Sequence, residues 1–147
     1  MTVAEVCVLS ISGNPGELIV APPQSGGELP LDAVDENTFI RYSSTVAASQ
    51  TRQITVKWGP SDSAPAGCLL NLKAQPSGKT NEGSGSGEIT LSDAHQTLVS
   101  GIGSCATGTG GSDGARLIYR LAVDDEALLV QGETKTATVL FTLTDVS

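Results

Sequence analysis

Apolar residues recur at every second position through much of this chain, the spacing of strands with one buried face. In residues 52–58, Ile54, Val56 and Trp58 share a face. Cys68, Leu70, Leu72 and Ala74 share one in the next segment, and Leu117, Tyr119, Leu121 and Val123 in residues 116–123. Near the end, Ala137, Val139, Phe141 and Leu143 alternate with polar positions rich in threonine. Shorter strand-like runs occupy residues 18–20, 39–45, 88–92 and 96–102. Residues 5–11 are apolar on both faces, which predicts a strand that is buried or paired on both sides.

Turn-forming clusters separate these runs, such as Gly13-Asn14-Pro15-Gly16 and Gly59-Pro60-Ser61-Asp62. Helical periodicity is weak. One short turn or helix is predicted over residues 124–131, capped by Asp124. The pattern therefore predicts an all-β fold, an antiparallel sandwich or barrel of about eight or nine strands with at most one short helix. One domain over residues 1–147 suffices for a chain of this length. Residues 21–36 read as an acidic, proline-rich loop. Residues 78–87, the low-complexity stretch GKTNEGSGSG, read as a flexible hairpin tip.

Composition narrows the function. Charged residues are 16% of the chain, and Ser, Thr, Gly, Asn and Gln supply much of the polar surface. That balance favours an extracellular β protein. The net charge of -8 and the scattering of eight basic residues argue against nucleic acid, which needs clustered cations. No run approaches the length of an apolar membrane span. The start of the chain has no basic, apolar leader, so the chain is either not exported or a mature form, and the composition favours the mature, exported form.

Catalytic look-alikes fail on context. Gly78-Lys79-Thr80 ends like a phosphate-binding loop, but Lys73 stands where that motif needs glycine. Gly110-Gly-Ser112-Asp-Gly114 matches a nucleophile elbow in spacing, yet it precedes a strand rather than a helix. Residues 101–106 echo a dinucleotide fingerprint without the strand–helix–strand unit it needs. His95 is the sole histidine and sits in a turn. No enzyme is expected. The hard oxygens of Asp32, Asp35 and Glu36 form a candidate calcium site; no other cofactor is suggested. Trp58, Tyr119 and Phe141 point inward, which leaves Tyr42 and Phe39 as free aromatics for a glycan platform.

The three cysteines are Cys7, Cys68 and Cys105. A Cys68–Cys105 disulfide would close a long loop and contribute roughly 4 kcal/mol in the chain-entropy account. Cys7 would then be a small buried hydrophobe or a link to another chain. Three inert thiols in a reduced protein is the competing reading.

Residues 51–58, Cys68-Leu-Leu-Asn-Leu72, residues 98–110, Leu117-Ile-Tyr-Arg-Leu121 and the closing residues 137–145 resemble short secreted bacterial surface proteins with immunoglobulin-like or fimbrial-like sandwiches. The resemblance covers about residues 39–146. It implies export, a disulfide and a structural or adhesive role, and it carries over no catalytic residue. In pilus subunits one subunit's terminal strand completes the sheet of the next. Residues 1–11, with Val6, Val8, Leu9 and Ile11, form a candidate donor or edge strand of this kind. The pilin-type closing motif with a near-terminal Tyr is missing. The leading expectation is a secreted, non-catalytic structural or surface protein that self-associates or joins other surface proteins, as a fibre subunit assembled by strand complementation. The alternative is a glycan- or surface-ligand-binding module, with or without calcium.

Overall fold

The computed structural model describes residues 1–13 and 15–146. Its strands, in chain order, are β1 (Cys7–Ser12), β2 (Ala33–Ser44), β3 (Arg52–Trp58), β4 (Cys68–Gln75), β5 (Ser84–Gly85), β6 (Ile89–Thr90), β7 (Gln96–Ile102), β8 (Cys105–Ala106), β9 (Ala115–Val123) and β10 (Val139–Asp145). All pairings are antiparallel. The first sheet runs β1-β2-β9-β4-β6, with β8 also on β2; the second runs β10-β3-β7-β5. They face each other as a β-sandwich.

The alternation that predicts the strands also fills the core. Ile40, Ile54, Leu72, Leu98, Ile102 and Leu117 are fully buried between the sheets. On β2, β3, β4 and β9 the opposite face carries polar or half-exposed residues, so packing fixes the register; on β7 a register irregularity leaves both Leu98 and Val99 buried. The inward residues of β10 (Val139, Phe141 and Leu143) are only partly buried, because β10 is the outermost strand of its sheet.

Several expectations change. Residues 18–20 form no strand; Leu18 packs on the core and Ala21 makes an isolated bridge with Leu31. The acidic segment is not a loop from Ala33 onward, because it opens the long strand β2. A bulge between Asp35 and Thr38 lets β2 carry it alongside β9. The predicted helical turn is a 3-10 turn at Glu126–Leu128, and its cap is Asp125, one residue later than expected. Asp125 accepts from the Ala127 N–H at 3.1 Å. Among the described residues, no helix is long and apolar enough to cross a membrane.

The stretch 78–87 is more than a hairpin tip. Ser84 and Gly85 pair with β7, and the Gly103 N–H donates to the Asn81 carbonyl. Glu82 is buried, its carboxylate accepting from the Ser77 hydroxyl and its carbonyl from the Tyr42 hydroxyl. The glycines serve packing: a Cβ on Gly85 would overlap the carbonyl oxygen of Ala74.

Candidate functional site

A sheet edge presents unpaired peptide groups, and proteins usually shorten, charge or cover it. On one side of this sandwich the edges are covered. The chain from Asn81 to Leu91 lays β5 on β7 and β6 on β4, each only two residues long. On the other side stand β1 and β10, six and seven residues long. Among the described residues no strand pairs with the outer edge of either.

Hydrogen-bond parity shows what these edges expose. Thr45 donates its N–H to the Val6 carbonyl, and the β1–β2 register runs unbroken from there. Peptide groups therefore point toward β2 at Val8, Ser10 and Ser12, and outward at Cys7, Leu9 and Ile11. On β10, the bonds from Gly59 N–H to the Thr138 carbonyl and from Val146 N–H to the Thr51 carbonyl place the peptide groups of Leu140, Thr142 and Thr144 toward β3. The outward groups there are those of Val139, Phe141, Leu143 and Asp145. The Cys7 thiol lies 3.7 Å from the Leu143 carbonyl, which brings the two edges together at one corner. Neither strand contains Lys, Arg, Pro or a register shift; the sole charge is Asp145.

Arg52 holds that corner. Its side chain lies on the buried face of β3, in phase with Ile54 and Val56. It donates to the carbonyls of Val6 (2.6 Å) and Thr45 (2.9 Å), to Ser44 Oγ, and to the carboxylates of Glu5 and Asp145, both at 3.0 Å. One buried guanidinium thus ties the segment before β1 to the end of β10. The period-two pattern that put Ile54, Val56 and Trp58 inward also puts Arg52 inward, which was the readable signal of a buried cation with partners.

One end of the sandwich is hollow. A cavity of about 1020 Å³ opens between the sheets there, lined by Trp58, Leu70, Tyr119, Leu121 and Val139, with Glu133 at its wall. Residues 15–22 and 129–137 flank it. Burial raises the Tyr119 hydroxyl to about 12, helped by the charge of Asp35. Nothing in the alternation distinguishes these positions from the packed core, so sequence reading missed the cavity.

The expected site residues do not converge. Asp32 binds Arg120 at 2.7 Å, and Asp35 accepts from the backbone N–H groups of Gly16 and Asn37. Asp35 is half-buried and Glu36 exposed, at the bulge where β2 slips its register against β9. Among the described residues, no group of three or more metal-ligating side chains is formed. Tyr42, expected to be free, is in the core, and the outward Phe39 ring is covered by Arg116 at 5.1 Å. The Gly110–Gly114 motif is a turn in which Asp113 accepts from the Gly110 N–H at 2.7 Å.

The Cys68–Cys105 bridge is overturned. All three cysteines are free. Cys68 pairs with Val123 at one end of the sheet, whereas Cys105 pairs with Ser44, beyond the Ile40–Ala115 pair at the other. The length of β9 alone separates them by roughly 25 Å, against the roughly 4.4–6.8 Å between Cα atoms that a disulfide requires. Burial pushes both thiols up, with Glu133 adding to the effect at Cys68 and Glu82 at Cys105. The proposed assembly residues do share an element: Val8, Leu9 and Ile11 lie in β1, with Val6 just before it. They are not doubly buried, since Val8 and Ile11 are exposed, and β1 pairs within its own sheet. No family model, no curated protein and no solved structure matches the chain.

Proposed function

We propose that this chain is a non-catalytic structural building block of an extracellular or cell-surface assembly, joined to its neighbours by strand pairing along the β1/β10 side. The observation that carries this reading is the asymmetry of the edges. The molecule covers two edges with dedicated short strands and leaves two long, regular, weakly charged edges side by side. Main-chain groups on such an edge supply affinity for an added strand. The polar, weakly charged composition supports an extracellular setting. Light scattering on the full chain across a concentration series tests the proposal. Wild type is expected to exceed monomer mass, and Ile11→Lys, which places a charge on a half-exposed edge position, to return it to monomer. A wild type that stays monomeric throughout overturns the reading.

The cavity favours a second reading, a module that takes a small apolar ligand. Its volume matches ligand pockets, which run to about 1,000 Å³, and it has aromatic walls. Nile red is the probe. A saturable signal, quenching Trp58 and lost in Ala137→Phe, supports this reading, and its absence in wild type removes it.

A further inference from the structure

We infer that the strand added to β1 is β1 of a second copy of this chain, antiparallel and related by a two-fold axis through Leu9. This rests on the strand-pairing function proposed above and names its partner. The argument is one of parity. A two-fold axis perpendicular to a sheet keeps each residue on its own face, so directly opposed residues must be of like phase. In β1 the outward peptide groups belong to Cys7, Leu9 and Ile11, residues of one phase. Centring the axis on Leu9 sets Leu9 against its own copy, and Cys7 of each chain against Ile11 of the other. Every outward peptide group of the strand then has a partner, giving about six inter-chain hydrogen bonds. A shift of the axis to Ser10 leaves Cys7 opposite Gly13, outside the strand.

Side chains agree with the same register. Cys7, Leu9 and Ile11 project toward the core side of the sheet, where Leu9 already packs on the core. Across the axis they meet residues of the same kind, so the apolar seam continues from one molecule into the next. On the outer face Val8 meets Ser10. The strand carries no charge, which matters for a chain of net charge -8: the contact places no like charges opposite each other within the strand. Because β10 lies beside β1, the second copy's β10 approaches this one's along the same side.

Cross-linking reads the register directly. In the variant Leu9→Cys with Cys7→Ser, the new thiols face each other across the axis, with Cα atoms about 5.5 Å apart for a hydrogen-bonded pair. Mild oxidation is expected to convert the protein to a covalent dimer. The same treatment of Leu69→Cys with Cys7→Ser, an exposed position on β4, is expected to leave it monomeric. Ile11→Pro removes an outward N–H but no β1–β2 bond, and is expected to weaken the dimer roughly 10- to 100-fold with an unchanged circular dichroism spectrum. Ser10→Pro removes an inner ladder bond and is expected to change the spectrum. If Ile11→Pro abolishes assembly but Leu9→Cys does not cross-link, the two-fold partner is overturned while strand-edge assembly stands. If wild type never leaves the monomer, both fall.

Discussion

The two sides of this sandwich face the same physical problem and answer it differently. On the β5/β6 side, a single Ser/Gly-rich run crosses from one sheet to the other and lays a two-residue strand on each edge. The backbone gains partners over residues 70–72 of β4 and 98–100 of β7, which interrupts both edges. On the β1/β10 side, the edges are long, regular and nearly uncharged, and they are held in place by Arg52 rather than covered. The buried arginine bonds the Val6 and Thr45 carbonyls and the Asp145 carboxylate, and so ties the ends of β1 and β10 together. The contrast teaches that openness here is local: one molecule contains both the remedy and a place where it is not applied.

The strongest way to break this contrast is to remove the clamp. Arg52 makes five side-chain hydrogen bonds. Its two carboxylate partners are largely exposed and return to water without much loss. The carbonyls of Val6 and Thr45 and the Ser44 hydroxyl do not have that recourse to the same degree. Arg52→Ala is expected to cost about 2–4 kcal/mol in chemical denaturation. Hydrogen exchange should rise first at Thr45 and Val146, whose amides bond across the clamped corner. Unchanged stability would show that the open side is held by β1 and β10 packing alone.

A second change works from the covered side. In Gly85→Val the new side chain collides with the Ala74 carbonyl, so β5 must leave β7 or β4 must shift. Overpacking of this kind costs about 1–3 kcal/mol. Displacing β5 also bares the outer edge of β7 at Val99 and Ser100. The variant is expected to aggregate in a way that Ile11→Lys does not reverse, because the new edge lies opposite β1. Aggregation that Ile11→Lys suppresses would mean that the covered side contributes nothing to edge protection.

How much of this was legible depends on the kind of interaction. The core was, because period-two alternation in β3, β4, β9 and β10 states which face is buried. Arg52 was half legible: its phase places it inward, but its partners come from both ends of the chain. Residues 81–87 were not, since their role rests on backbone pairing, which glycine and serine supply without a side-chain signature, whereas the strand-like run at 88–92 does hold β6. The cysteine pairing failed for a related reason. Cys68 and Cys105 sit at strand ends, as a bridge would have them, yet which ends are neighbours is a property of sheet order. The exposure of β1 likewise follows from its place in that order; an apolar run alone does not separate a central strand from an open edge.

The smallest expected effect tests whether surface charge secures the covered side. Arg120, on β9, spans the outer face of its sheet, binding Asp32 before β2 and Glu88 before β6. Glu88 lies just ahead of the strand that covers the edge of β4. Hydrogen bonds from the Arg120 guanidinium hold the Glu88 carboxyl below its ordinary value of 4.5; slight desolvation opposes them, and the charges of Arg120 and Lys73 assist. A carboxyl depressed by folding stabilises the fold above its unfolded value. That contribution fades as pH falls through the lower, folded value. Stability should therefore decline as the solution is acidified below about 4.5, and Glu88→Gln should flatten that part of the profile. Both partners are well solvated, so the difference at neutral pH is expected to be at most about 0.5 kcal/mol. Its structural consequence is confined to faster amide exchange at Leu91, whose N–H bonds to Leu70 beside β6. A Glu88→Gln variant with equal acid sensitivity and unchanged exchange would show that backbone pairing and the Asn71–Thr90 side-chain bond suffice to close this side.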